Sequence, residues 1–543
     1  MKFSKKILPM VLAVAMIPTM SISIFADDAT STTTSSAVST TTVDISKHTF
    51  AAYQIFTGDL NGEKQLSNVE WGTGVNASEL LEALKKATTF STGVTFNNCN
   101  TAADVAGIVG GFNDNSNDAK AFAKLVSEKL TGTKSVSTTP GKANLPAAGY
   151  YLIVDTTSMM QDNKEKDDAL NLSLLEVSAA GEVDVRNKTS KTTLIKKVKD
   201  VNDSENNSET GWQDSADYDI GDHIPYQLTA TLGDLTNYDT YKLVFHDEMT
   251  HLTLDKAEGE DAAHALTVKV GNKILTTSEY VLNPSSDGKT FTVTINDVKA
   301  LGGTTGTLVT VDYYAILDSE ANIGSTGNPN TSYLEYSNNP NNTGNGGSLG
   351  KTPEDKNIVF TYKIVANKVD QNKEELKGAA FELQKKNSAG VYEVVDVVGA
   401  TKTSENTYTQ TEEQKNQEPV FTFSGIDDGD YKLVEVVTPK GYNTIAPMEF
   451  KVAATHEPNA DNPKLTALTI KDTKGNVISE GEDKVFTTVL SDGSATVEVV
   501  NKSGSILPET GGIGTTIFYI VGVVLVLGAG ILLVTKKRMN ADK

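Results

Sequence analysis

The chain has 543 residues, a length that favours three or four domains over a single core. Its 38% hydrophobic, 22% charged and 7% aromatic content is that of a folded protein and excludes wholesale disorder. A net charge of -22, from 48 basic and 70 acidic residues, excludes nucleic acid as a partner, and the single Cys99 excludes intramolecular disulfides and paired-cysteine metal sites.

Residues 1–26 combine a basic start (Lys2, Lys5, Lys6), an apolar run from Ile7 to Ile17, a break at Pro18 and a small residue at Ala26. This pattern predicts a secretory signal peptide cleaved after Ala26. Residues 27–42 are mostly Ser and Thr and read as a flexible leader. The next module, 43–188, is mixed. Asn76-Ala77-Ser78-Glu79 forms a capping box that opens a helix through Leu84, and Asp118–Leu130 has helical spacing, while the remainder alternates as strands. The expectation is a β-sandwich with helical insertions.

Residues 189–352 are almost wholly strand and turn, with Val-, Thr- and Tyr-rich runs such as Leu308 to Leu317 and an Asn/Gly-rich loop from Ser337 to Gly350. Residues 353–503 repeat the all-β pattern. An internal echo supports this division: Gly149-Tyr150-Tyr151-Leu152-Ile153-Val154-Asp155 in the first module matches Gly429-Asp430-Tyr431-Lys432-Leu433-Val434-Glu435 in the third. Leu507-Pro508-Glu509-Thr510-Gly511 follows, and Pro508 keeps this pentapeptide extended. Residues 513–534 carry no charge and as a helix would reach about 33 Å, enough to cross a bilayer. Lys536, Lys537 and Arg538 mark 535–543 as a cytoplasmic tail. Pentapeptide, span and basic tail together resemble the cell-wall sorting signal of Gram-positive surface proteins. The resemblance implies sortase cleavage between Thr510 and Gly511. Losing three basic charges from the leader and a net three from the tail would take the mature chain from -22 to -28.

Strand alternation places charged and amide side chains on apolar faces. In the third module, Phe360, Tyr362, Ile364 and Ala366 share a face with Lys368. Tyr431, Leu433 and Val437 share one with Glu435, and Val497 and Val499 share one with Asn501. In the second, Leu194 and Val198 flank Lys196, Asp247 follows Tyr241, Leu243 and Phe245, and Asn338 follows Leu334 and Tyr336. Taken singly, each is a snorkelling strand-end charge or a member of a buried ion pair. The repeated order of lysine, acid and asparagine has a joint explanation. A buried lysine loses its proton readily and becomes a nucleophile, while a buried carboxyl keeps its proton and can polarise an Asn carboxamide as ammonia leaves. The product is a Lys–Asn isopeptide bond.

Asn367-Lys368-Val369-Asp370, Leu376-Lys377-Gly378-Ala379-Ala380-Phe381-Glu382-Leu383 and Tyr431-Lys432-Leu433-Val434-Glu435 resemble the CNA-B-type domain of Gram-positive pilins. Lys196-Lys197-Val198-Lys199-Asp200, Phe245-His246-Asp247 and Tyr336-Ser337-Asn338-Asn339-Pro340 resemble the isopeptide-forming D2 domain of sortase-assembled fimbrial subunits. The resemblance implies tandem immunoglobulin-like sandwiches. It also implies a Lys196–Asn338 bond assisted by Asp247 and a Lys368–Asn501 bond assisted by Glu435. In the first module Asp155 and Asn187 hold the matching places and leave a Lys47–Asn187 bond open. The family's linking lysine corresponds to Lys188, in Val185-Arg186-Asn187-Lys188, although the usual Tyr-Pro pair is missing. Lys191 is the second candidate, and a solvated linker lysine is the plain alternative.

Other motifs are decoys. Gly350-Lys351-Thr352 has Asn345 where a phosphate loop needs glycine, the run from Asp200 has Gly211 at the twelfth place of a calcium loop, and the six histidines are scattered. The resemblance therefore implies no cofactor and no metal. It implies a non-enzymatic shaft subunit of a covalent pilus, exported and wall-attached. Its partners would be pilus-type class C and housekeeping sortases, identical subunits and peptidoglycan, with any host ligand unidentified. The competing reading is a monomeric wall-anchored adhesin or minor tip pilin, and a turnover enzyme ranks third.

Overall fold

The computed structural model describes residues 45–60, 65–113, 116–156, 173–175, 180–185, 190–205, 208–256, 264–340 and 348–504. The signal peptide, Ser/Thr leader, sorting motif, 513–534 span and tail lie outside the described residues. Among the described residues no helix is long and apolar enough to cross a membrane.

The first domain is built on strand Phe50–Leu60, which lies antiparallel between Leu66–Trp71 and Tyr150–Asp155. A register irregularity between Gln54 and Phe56 lets this strand serve two cores. Phe50 and Ala52 pack with Tyr151 and Ile153 against the two-stranded antiparallel sheet of Lys142–Leu145 and Gly181–Asp184. Ile55, Phe56 and Leu152 face the helices instead. Helix Ala77–Lys86 starts where the sequence places it: the Asn76 side chain accepts from the Glu79 amide and donates to its carboxylate. Helix Asn117–Ser127 buries Phe122, Ala123 and Val126. The structure adds a third helix, Ala102–Val109, that the helical spacing does not predict. Its apolar run is short and interrupted by Gly107, but Thr101 and Asp104 form a capping box that marks its start.

The middle domain is a sandwich of two sheets. One sheet has the order Ser215–Asp217, Asp355–Phe360, Asn328–Ser337, Leu243–Met249, Thr290–Ile295, Val281–Pro284. The other runs Lys273–Ile274, Thr267–Val270, Leu308–Leu317, His223–Thr231, Thr193–Val198, with Leu252–Leu254 also paired to Leu308–Leu317. The strict alternation of Leu308–Leu317 and His223–Thr231 sends Val309, Val311, Tyr313, Tyr226 and Leu228 into the shared core with Phe245, Val293 and Leu334.

Strand Asp355–Phe360, assigned from sequence to the third module, pairs antiparallel with Asn328–Ser337 and parallel with Ser215–Asp217. The middle domain therefore extends to Phe360, and the 352/353 boundary is corrected to Thr361. The Asn/Gly-rich loop and Pro353 look like a linker but only return the chain to the same sheet. At the true junction Thr361 alone separates Phe360 from the next strand, Tyr362–Asp370, so no turn residue marks the border.

In the third domain, sheet Val420–Ile426, Tyr362–Asp370, Ser494–Asn501, Phe486–Val489 packs on sheet Tyr392–Val398, Ala380–Lys386, Gly429–Val437, Met448–His456, Leu465–Lys471. Its first and last long strands are parallel neighbours. The two sandwiches also touch beyond the connecting strand. The Ile220 amide donates to Gly425 O at 2.9 Å, and a Cβ at Gly425 (φ +77°) would come within 2.3 Å of Ile220 Cδ1, so glycine is required there. Lys385 crosses the junction to Asp203 at 3.0 Å and Asp219 at 2.6 Å, while bridging Asp427 of its own domain at 2.5 Å.

Candidate functional site: two buried lysine, acid and asparagine clusters

In the third domain the parallel register places Lys368 opposite Val499 and Asp370 opposite Asn501, so the amine and the carboxamide lie on adjacent strands. Lys368 is fully buried, and its Nζ donates to the carbonyls of Val369 at 3.0 Å and Val499 at 2.9 Å. Glu435 enters from the facing sheet. It accepts from Asn501 Nδ2 at 2.8 Å through Oε1 and from the Ile445 amide at 3.0 Å through Oε2. Asn501 Oδ1 is buried without a hydrogen-bond partner among the described residues. Burial lowers the Lys368 pKa to about 8, against the opposing pull of Glu435 and Asp370. The three residues selected by strand parity are thus brought together, with an amine that sheds its proton near neutrality.

In the middle domain Lys196 and Asp247 meet across the two sheets, both buried. Lys196 Nζ donates to Asp247 Oδ2 at 2.5 Å and to Tyr313 OH at 2.6 Å, and Tyr313 OH lies 3.0 Å from the same carboxylate oxygen. Burial pushes the lysine pKa down and the aspartate pKa up, each opposed by the charge of the other. The rings of Tyr226 and Tyr313 stand 5.0 and 5.3 Å from the ammonium.

Asn338 is not at this site. Asp247 pairs with Ser332, six residues before Asn338, a separation of about 20 Å along a strand. Asn338 instead accepts a hydrogen bond from Ser348 at 2.8 Å. The amide beside the pair is Asn330, fully buried, whose Nδ2 donates to Tyr313 OH at 3.0 Å and whose Oδ1 has no partner among the described residues. Parity selects the buried face of strand Asn328–Ser337, since Asn330 and Asn338 are both even-numbered. It could not select the position along that face, which cross-strand register decides. A second amide, Asn357, pairs with Asn330 and donates to the main-chain oxygen of Lys196 at 3.3 Å. Tyr313 carries no distinguishing signal in the sequence, because its alternating strand reads as ordinary core.

The first domain has no equivalent arrangement among the described residues. Asp155 is bound by His48 Nδ1 at 2.6 Å, both side chains being buried. Asn187 and Lys188 lie outside the described residues, whereas Lys191 is half-buried at the start of the middle domain.

The chain thus carries tandem β-sandwiches, two of which bury a lysine, an acid and an amide in their cores, and comparison with known proteins adds to this. Residues 362–464 match the SpaA prealbumin-like fold domain, beginning one residue after Thr361, and residues 500–541 match the LPXTG cell wall anchor motif. The chain is thus a mainly β surface protein attached to the cell wall through its C-terminal motif. It is similar to the trypsin-resistant surface T6 protein of Streptococcus pyogenes, 28% identical over 282 residues. That match covers 42% of this chain and 48% of the relative, so the chain spans about half the length of the curated relative it matches. Among solved structures it is similar to the T6 backbone pilin of serotype M6 Streptococcus pyogenes, at 18% identity and TM-score 0.48, covering 86% of this chain and 98% of the other. It is also similar to the major pilin SpaD of Corynebacterium diphtheriae, at 17% identity and TM-score 0.39, covering 84% and 93%.

Proposed function

We propose that the chain is the repeating structural subunit of a sortase-assembled pilus whose middle and third sandwiches are each closed by a Lys–Asn isopeptide bond. The observation that carries this reading is the wall-anchor match at 500–541 at the end of a chain whose cores bury Lys368, Glu435 and Asn501 in one cluster and Lys196, Asp247 and Asn330 in another. In each cluster the neutral lysine amine attacks Cγ of the asparagine, a C–N bond forms, the C–Nδ2 bond breaks, and ammonia leaves with the proton shed by the amine. The acid supplies and recovers a proton during that exchange. Asn501 Nδ2 donates to Glu435, so the departing nitrogen already faces the group that would protonate it. Each pair reacts once, which is self-processing and not turnover.

Assembly follows from the anchor. A pilus-type class C sortase would cleave after Thr510 and pass its acyl group to Lys188 of the next subunit, with Lys191 as second candidate, and a housekeeping sortase would attach the finished polymer to peptidoglycan. Immunoblotting of boiled cell-wall extracts tests this directly. The expected result is a ladder of high-mass bands that Lys188→Ala abolishes; a single band would reject polymerisation in favour of a monomeric wall-anchored protein, and a ladder surviving Lys188→Ala would move the linkage to another lysine.

A further inference from the structure

We infer that the middle domain carries a binding site for one divalent transition-metal ion such as Zn2+, formed by His223, Asp255 and His264 on the outer face of the sheet that holds Lys196. The site is independent of the isopeptide clusters and of the pilus reading. Strand Leu308–Leu317 brings its parts together. His223 opens the strand on one side and pairs with Ile316, while Asp255 follows the short strand on the other side and its amide donates to Tyr314 O at 2.9 Å. Tyr314 and Ile316 alternate with the core-facing Tyr313 and Ala315, so these groups converge on the face opposite the core. The His264 ring packs on Tyr314, with centroids 4.3 Å apart, and that contact aims it at the same point.

Two imidazoles then address one carboxylate oxygen. Asp255 Oδ2 lies 2.7 Å from His223 Nδ1 and 3.1 Å from His264 Nδ1, and the three ligand atoms all fall within 4.8 Å of one another. A tetrahedral ion with bonds of about 2.0–2.1 Å holds its ligand atoms roughly 3.3 Å apart, so the Asp255 contacts at 2.7 and 3.1 Å need open by only a few tenths of an ångström to admit one. Two imidazole nitrogens and one carboxylate oxygen are the donor set of an open three-ligand zinc site, and they suit Zn2+, Ni2+ or Cu2+ better than the oxygen-seeking Ca2+ or Mg2+. Asp255 is 6% exposed, whereas His223 and His264 are 35% and 26% exposed, so the ion has an entry path and solvent reaches a fourth position.

Two other acid-rich clusters at the domain junction do not share this character. Among Asp203, Asp219, Asp222 and Asp427 the Lys385 ammonium already occupies the cation position. In the group of Asp200, Asp217 and His456 a single imidazole faces two carboxylates at 3.4 and 3.8 Å, and its other nitrogen is bonded to Ser215 Oγ at 2.7 Å.

The mature secreted chain, freed of metal by chelation, should be titrated with Zn2+ by calorimetry and with Co2+ by visible absorption. The expected result is one equivalent of each ion bound, with the intense d–d bands of low-coordinate Co2+. Both signals should be lost in the His223→Ala/His264→Ala double variant and kept in His246→Ala. Absence of binding in the native chain, or equal binding in the double variant, overturns the inference. A readout that needs no variant is diethyl pyrocarbonate labelling with and without Zn2+, followed by peptide mass spectrometry. His223 and His264 should be protected together while His246 is not, and unprotected labelling of both at saturating Zn2+ overturns the inference equally.

Discussion

In the middle domain Lys196 and Asn330 approach one another from opposite sheets, whereas in the third domain Lys368 and Asn501 lie on neighbouring parallel strands of a single sheet with Glu435 above them. The first arrangement would staple the sandwich through its core, and the second would tie the first long strand of a domain to its last. Both have the same consequence under tension. Force entering near Lys196 would pass through the amide to Asn330 and continue along Thr361 into the third domain. There it would cross again from Lys368 to Asn501, leaving the long segments between each pair outside the load path. The polar surroundings also differ. The third-domain amine rests on two main-chain carbonyls, while the middle-domain amine is held by Asp247 and a tyrosine hydroxyl that also touches the amide.

The largest effect should come from removing an acceptor. On the proposed chemistry, Asn330→Ala or Asn501→Ala would delete a cross-link closing more than a hundred residues, which by the loop-entropy argument is worth roughly 4–5 kcal/mol. Denaturant unfolding with trypsin challenge should show that loss confined to the altered domain, and unchanged stability in either variant would break the parallel between the clusters. Next come the acids. Asp247→Asn and Glu435→Gln should slow bond formation by about 10²–10⁴-fold while leaving both bond partners in place, read as retention of one ammonia by intact mass. An acid variant that matures at the native rate would remove the proton shuttle from the account.

Tyr313→Phe separates the two domains most sharply. Losing a hydroxyl that bonds both amine and amide should slow the middle-domain bond roughly tenfold and leave the third-domain bond untouched, followed by time-resolved mass after refolding. The pH profile of the third-domain bond should rise as Lys368 loses its proton and level off above about 8, the value set by burial against Glu435 and Asp370. A rate independent of pH between 6 and 9 would assign the slow step elsewhere. The smallest effect belongs to Asn338→Ala, which removes a hydrogen bond with Ser348 worth about 1 kcal/mol and should leave the mass unchanged.

The amino-acid pattern carries the third-domain cluster completely because its residues are read from strand parity alone, and the parallel register then aligns them. The middle cluster is legible only as a face. Asn330 and Asn338 share that face, and the pairing of Asp247 with Ser332 that separates them is a tertiary fact. For the same reason the border at Thr361 is invisible, since one continuous run of strand residues serves two sheets. The helix start at Asn76 is a local capping event that the sequence announces, and the structure adds caps of the same local kind at Thr101 and Ser116. His223, Asp255 and His264 are united only by their positions around strand Leu308–Leu317, so no sequence spacing announces them.

The most direct test of the covalent-core account is mass spectrometry of the mature chain, intact and after proteolysis. The account predicts a mass lower than the sequence by two ammonia molecules and two cross-linked peptides, one joining Lys196 to Asn330 and the other Lys368 to Asn501. A full theoretical mass would contradict it, and a cross-link from Lys196 to Asn338 or Asn357 would contradict the geometry assigned to the middle domain.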